Sequence, residues 1–215
     1  MLPIILKLKL ATTAALGLAA SASPAPMPSQ AFAAVIAERA AAPVEVKLFD
    51  ENHQVHTVVG IRRDGTMDKA TAAEVTHLFR CKTTAREHAM ARRTLSMLAD
   101  IAEKYEGKEI EFVSAYRVQA GESPTSPHRD ARAIDFRIRG TKLTEIRDYL
   151  WRKYSDAGIG WYPSEEFIHM DTRPGLHDTA WTFMNGDNHY HPYWAEVARQ
   201  PAAEKTERPS HRPGV

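Results

Sequence analysis

The sequence predicts an α+β domain, and three observations carry that prediction. An alternating apolar–polar stretch after residue 43 is broken by Asp50-Glu51-Asn52 and then resumes. Apolar residues recur at helical spacing within residues 86–105 and again within 143–150. Strands and helices follow one another without the repeated βαβ rhythm of a parallel sheet.

Each element follows in order. Val44 to Leu48 alternates apolar and charged residues, and Val55 to Ile61 takes up the pattern after the break, so a β-hairpin is expected. Ala70–Cys81 reads as a helix with Ala73, Val75 and Leu78 among its apolar residues. Cys81, the single cysteine, excludes an intrachain disulfide and any four-cysteine zinc module. With no local activating pattern, it reads as an inert packing residue. From Arg86 to Tyr105, the residues Leu95, Leu98, Ala102 and Tyr105 share a helical face, and Gly107 is placed to stop the helix. Glu109–Ala115 alternates as a strand, with Ile110 and Phe112 on one face. Leu143, Ile146 and Leu150 mark a further amphipathic helix that ends before Gly158.

The chain divides into four parts. Residues 1–22 carry only Lys7 and Lys9 as charges, then an apolar run from Leu10, then Ala20-Ser21-Ala22, which fits the small-x-small cleavage rule of a secretory signal peptide. A buried N-terminal helix or an uncleaved anchor is the other reading, although the apolar run is shorter than the roughly 20 residues of a membrane span. Ala31-Phe32-Ala33 offers a second cleavage site. Residues 23–43, rich in Ala, Pro and Ser, read as a linker, and residues 200–215 as a disordered tail. That leaves 44–199 as the folded domain, long enough to bury a core without staples. The 28 Lys and Arg against 27 Asp and Glu fall to 26 against 27 once the leader's two lysines are gone. A chain so near neutrality argues against nucleic acid as a partner.

The composition is uneven in one respect. Of ten histidines, His128, His169, His177, His189, His191 and His211 lie after residue 120. With thiol ligands absent, a metal would have to be held by imidazole and carboxylate. Two segments concentrate the relevant groups. In Ala133-Ile134-Asp135-Phe136-Arg137-Ile138 the alternation sends Ile134, Phe136 and Ile138 to the core, so Asp135 points the other way, toward solvent or into a site. In Phe167-Ile168-His169-Met170-Asp171, period two puts His169 and Asp171 on one face. His128, Asp135 and His169 would together supply two imidazoles and a carboxylate, with a fourth tetrahedral position left open. On spacing alone, H-x6-D and HxD recur by chance, and surface or hydrogen-bonded core residues remain the simpler reading.

A resemblance changes that balance. Ser114-Ala115-Tyr116-Arg117, then Ser126-x-His128 through Ala133-Ile134-Asp135, then Gly158-Ile159-Gly160-Trp161-Tyr162-Pro163 with Phe167-Ile168-His169-Met170-Asp171, occur in one family's order. The chain resembles the murein peptidases related to zinc D-Ala-D-Ala carboxypeptidases (LAS-type metallopeptidases), in particular the YcbK-like branch. The strong match covers residues 114–171 and a looser one about 44–195. The resemblance implies a small antiparallel sheet flanked by helices and a secreted or periplasmic zinc peptidase that hydrolyses bonds in peptidoglycan stems or crosslinks. It makes His128, Asp135 and His169 the zinc ligands, sets Arg117 facing the substrate, and places Ser126 near the first ligand. Two departures stand out. The family's glycine between the first two ligands is Ala131, and the segment between Arg117 and Ser126 is short.

Hydrolysis also needs a proton acceptor. Asp171 shares a face with His169 and belongs to the motif, either as an essential carboxylate or as support for a ligand, while Glu166, three residues before His169, is its rival as base. Tyr116, Trp161, Tyr162 and Trp181 are available to wall a substrate groove, with Tyr116 the expected substrate contact. The competing class is a zinc-stabilised cell-envelope binding module without turnover.

Overall fold

The computed structural model describes residues 41–173, 175 and 177–200, together with Phe32, Ala33, Val35, Ala37 and Glu38. The expected leader lies outside the described residues, as does all of the tail beyond Gln200. The described positions between 32 and 41 in the expected linker are helical and exposed.

Strands β1 (Val44–Asp50) and β2 (Val55–Ile61) form the expected hairpin, paired from Val44 opposite Ile61 to Asp50 opposite Val55. Helices α1 (Lys69–Leu78) and α2 (Arg92–Lys104) follow. Asp68 caps α1 by accepting a hydrogen bond from the Thr71 amide at 2.9 Å, a contact typically worth about 1 kcal/mol. Helix α2 begins six residues later than the spacing suggested, because residues 85–91 run without regular structure and the Ala91 amide donates to the Ala131 carbonyl at 2.9 Å. Tertiary bonding there overrides local helix preference.

Strands β3 (Ile110–Ser114) and β4 (Ala133–Ile138) flank a long loop that contains a single 3-10 turn, Pro127–Asp130. Then come α3 (Leu143–Lys153), β5 (Ala157–Tyr162), β6 (Phe167–Thr172), β7 (Thr179–Met184), β8 (Asp187–Tyr190) and α4 (Tyr193–Arg199).

The domain is α+β, but its sheet is neither small nor purely antiparallel. Eight strands lie in the order β2-β1-β3-β4-β6-β5-β7-β8, with β1 parallel to β3 and β5 parallel to β7. The first parallel pair arises because α1 and α2 fill the crossover from β2 to β3. The second arises because β6 takes the place between β4 and β5, leaving the far edge of β5 to β7.

One face of the sheet makes the core. Ile134, Phe136 and Ile138 of β4, Ile159 of β5, and Ile168 and Met170 of β6 are buried in one cluster with Leu98 and Ile101 of α2 and Ile146 and Leu150 of α3. Each such side chain contributes about 1.5–3 kcal/mol on burial. Cys81 is fully buried in the same cluster. The alternation of β4 and β6 leaves their polar residues on the opposite face.

A buried histidine–aspartate cluster and its cavity

Strand register assembles the site. Antiparallel pairing of β4 and β6 sets Asp135 directly opposite His169 and Ala133 opposite Asp171. The loop before β4 supplies the third group. Its 3-10 turn opens at Pro127 after Ser126, buries His128 and closes at Ala131 in the left-handed region (φ +49°). A Cβ in that conformation costs about 1–2 kcal/mol. The turn bears it through bonds on both sides, from the Ala131 amide to the His128 carbonyl and from the Ala91 amide to the Ala131 carbonyl.

Three ligand atoms meet at one point. His128 Nε2 lies 3.2 Å from His169 Nδ1 and 3.3 Å from Asp135 Oδ2, and His169 Nδ1 lies 2.8 Å from Asp135 Oδ1. Tetrahedral zinc ligands at about 2.0–2.1 Å are about 3.3 Å apart, so the cluster has the dimensions and the nitrogen–oxygen chemistry that such an ion requires. The far nitrogens are also committed. His128 Nδ1 donates to the Ala115 carbonyl at 2.5 Å, which leaves Nε2 with its lone pair turned inward. His169 Nε2 donates to Asp171 Oδ2 at 3.1 Å. Outer partners of this kind fix the tautomer and orientation of metal-binding imidazoles.

Electrostatics follow from the packing. Burial pulls the His169 pKa down, but hydrogen bonds to Asp135 and Asp171 and their charges outweigh it and push the value up to about 9. Burial acts on Asp135 in the opposite sense, yet the charge of His128 and the bonds from both histidines hold its carboxyl well below the usual carboxylate range. Asp171 resists burial in the same way through His169 and Arg173, with its pKa lowered to about 2. Arg173 grips both of its oxygens, at 2.8 and 3.0 Å.

The two glycines of β5 make room for this arrangement. A Cβ on Gly158 would lie 2.2 Å from Asp171 Oδ2, and one on Gly160 would lie 2.5 Å from the Trp181 ring. Their absence lets Trp181 lie across β5 with its ring centroid 5.1 Å from that of His169. Trp181 Nε1 then donates to the Tyr162 hydroxyl at 3.2 Å. The result is an open cavity of about 500 Å³ that holds the cluster and is walled by Tyr162, Phe167, Trp181 and Tyr190.

Of the residues singled out from sequence, His128, Asp135, His169, Asp171, Arg117 and Ser126 all line this cavity. Arg117 Nη1 reaches Asp135 Oδ2 at 3.1 Å. Glu166 and Tyr116 do not join them. Glu166 sits in the turn before β6 and lines a separate depression with Arg137 and Glu111. That turn holds Glu166 at positive φ, and its carbonyl accepts from Arg137 Nη1, which sets it beside Arg137 and outside the cavity. Tyr116 is buried against His88, in a small recess on the far side of its loop with Asp50 and Arg80. Of the proposed aromatic wall, Tyr162 and Trp181 belong to the cavity, whereas Trp161 packs under Arg147. His177, His189 and His191 are exposed and lie outside the cluster.

Cavity residues that were not anticipated include Glu122, Arg132, Arg173 and Tyr190. Tyr190 had a signal, because Asn185-Gly186 between β7 and β8 is the two-residue turn that marks a hairpin, and both residues adopt positive φ. Arg173 also had one, since it extends the alternation of His169 and Asp171 by two residues, whereas Glu122 and Arg132 carry no pattern that points to the cavity.

Comparison with known proteins gives a concordant result. The family model Peptidase_M15_2, described as peptidoglycan L,D-endopeptidase MepK, matches residues 38–177. A probable peptidoglycan L,D-endopeptidase MepK from Haemophilus influenzae is 34% identical over 76 residues, covering 31% of this chain and 40% of its own. The peptidoglycan L,D-endopeptidase MepK of Escherichia coli K12 is 31% identical over 80 residues, covering 33% of this chain and 43% of its own. The chain thus spans less than half the length of these curated relatives. No solved structure gives a significant match.

Proposed function

Because this chain belongs to the Peptidase_M15_2 family of murein peptidases, we propose that it is a zinc-dependent peptidase that hydrolyses internal peptide bonds in peptidoglycan stems or crosslinks. The observation that carries the proposal is the convergence of His128 Nε2, His169 Nδ1 and Asp135 in a solvent-open cavity of peptide dimensions. The leader-like sequence at residues 1–22 fits export to the periplasm or cell exterior, where such a substrate lies. No helix among the described residues is long and apolar enough to cross a membrane.

His128, Asp135 and His169 would hold the zinc ion. Bound there, zinc supplies Lewis-acid polarisation of the scissile carbonyl and a water acidified to about neutral pH. The protein's own groups prepare that chemistry. Asp171 is fully buried, with both oxygens occupied by His169 and Arg173, so its part is to orient His169 rather than to take a proton from solvent. Arg117 sets a guanidinium against ligand Asp135 at the cavity surface, where it can meet the substrate backbone. Trp181 and Tyr162 supply a flat aromatic wall against which an extended stem peptide can lie, and Ser126 borders it beside His128. Domain limits of 44–199 suit this reading, since α4 packs on α3 and Trp151 Nε1 donates to the Ala195 carbonyl at 2.8 Å.

The test is digestion of purified peptidoglycan by the full chain, read by mass spectrometry. The expected products carry one new amine and one new carboxyl across a single stem or crosslink bond, and a chelator abolishes them. Bound zinc without any product would overturn the enzyme reading in favour of a zinc-stabilised binding module.

A further inference from the structure

The cavity's charges are unusually well matched. Among its described lining residues, three guanidiniums (Arg117, Arg132 and Arg173) meet three carboxylates (Glu122, Asp135 and Asp171). Each guanidinium already has a partner. Arg173 is clamped by Asp171. Arg132 is held by Asp130 at 3.0 and 3.3 Å and by the Thr172 carbonyl. Arg117 spends Nη1 on Asp135 and turns its other edge to Glu122, with Nε 2.8 Å from Oε2 and Nη2 3.3 Å from Oε1. Glu122 thus sits where a substrate's terminal carboxylate would meet this arginine, accepting a hydrogen bond from Nη2 and ion-paired with Nε, which makes no hydrogen bond of its own.

The pairing is built into the loop. The side chain of Glu122 is only 10% exposed. The short segment carrying it is fixed by the Glu122 amide on the Gln119 carbonyl, by the Thr83 hydroxyl on Gln119 Oε1, and by the Arg117 amide on the His128 carbonyl. An intramolecular carboxylate held in this way competes at high effective concentration with any carboxylate arriving from solution. A peptide C-terminus entering here would meet Glu122 and Asp135 as like charges, with every neighbouring guanidinium already engaged.

We infer that Glu122 is a specificity-determining residue: by occupying Arg117 it excludes peptide C-terminal carboxylates and directs the site to internal bonds. The inference rests on the peptidase reading above and deepens it. It accounts for selection by a residue in the short segment where the chain departs from its family's pattern.

The experiment compares the full-length wild type with E122Q and E122A, each checked for bound zinc and cooperative unfolding. The probes are a crosslinked muropeptide dimer, a monomeric stem peptide with a free C-terminus, and its C-terminal amide. Wild type is expected to cut the dimer internally and to handle free acid and amide alike. In E122Q and E122A the ratio of terminal to internal cleavage should rise by about tenfold, the worth of one charged hydrogen bond, and amidation should cancel the gain. Calorimetric binding of the two monomeric peptides should show the same emergence of a preference for the free acid. An unchanged ratio in both variants, or a wild type that already prefers free carboxylates, would overturn the inference while leaving the peptidase reading intact. Equal loss of both cleavages with zinc retained would also overturn it, since Glu122 would then be handling a proton. Failure of the wild type to cut the dimer would remove the peptidase reading and the inference with it.

Discussion

At the scale of single residues, His169 is held from both sides, with one nitrogen against Asp135 and the other against Asp171. Its raised pKa, about 9, has a definite sign. In the metal-free protein the charged imidazole stabilises the fold fully below its unfolded value of 6.5, and that contribution fades as pH climbs through about 9. A metal must displace the same proton. Zinc affinity is therefore expected to rise about tenfold per pH unit toward pH 9 and to flatten above it, as competition with a chelator would show. A pH-independent affinity would contradict this. Asp171→Asn should weaken zinc binding by about 10–100-fold, because it loosens the orientation of His169, and it should leave the three ligands in place. If D171N binds zinc like the wild type and still loses hydrolysis, Asp171 is the proton acceptor instead. The facing of Asp135, His169 and Asp171 was legible in the sequence through strand period two, whereas His128, on a 3-10 turn, was singled out by the family resemblance. Their partners were less so: Arg173 continues the same alternation two residues beyond Asp171, but Glu122 joins the site only through the fold of the loop that follows Arg117.

At the scale of elements, β5 shows how a strand can shape a cavity by lacking side chains. Gly160→Ala would press a methyl group into the Trp181 ring, and overpacking of this kind costs about 1–3 kcal/mol. Chemical denaturation should show that loss together with altered tryptophan fluorescence. The double variant Gly160→Ala/Trp181→Ala should be less destabilised than the two single changes added together, as expected of residues in direct contact. Strict additivity would mean that the ring does not rest on Gly160 as described. The Asn185-Gly186 turn offers a second check. Gly186 has φ +83°, so Gly186→Ala should cost about 1 kcal/mol and loosen β8, read by hydrogen exchange at Asn188 and Tyr190. The early hairpin and both central helices could be read from periodicity. Helix α4 could not, since seven residues opening on Pro192 carry too short an amphipathic pattern and gain their order by packing on α3.

At the scale of the whole molecule, the sheet separates two tasks. One face is sealed by α2 and α3 into an apolar core, and the other is left free for polar groups that would be costly to bury unpaired. Leu150→Ala should therefore cost about 2–5 kcal/mol in global stability, yet leave zinc stoichiometry unchanged at temperatures where the variant stays folded. The α+β class was legible because it depends on the order of elements. The eight-strand extent and the two parallel pairs were not, because they depend on which strand edges the crossovers reach. All of this converges on one claim, that residues from a loop and two neighbouring strands form a single metal centre. Bound zinc per chain, measured by elemental analysis on the purified full-length protein, tests it most directly. About one zinc is expected in the wild type and next to none in His128→Ala, Asp135→Ala or His169→Ala, each still folded. A wild type without zinc, or His128→Ala and His169→Ala variants that both retain it, would mean that these residues form no such metal centre.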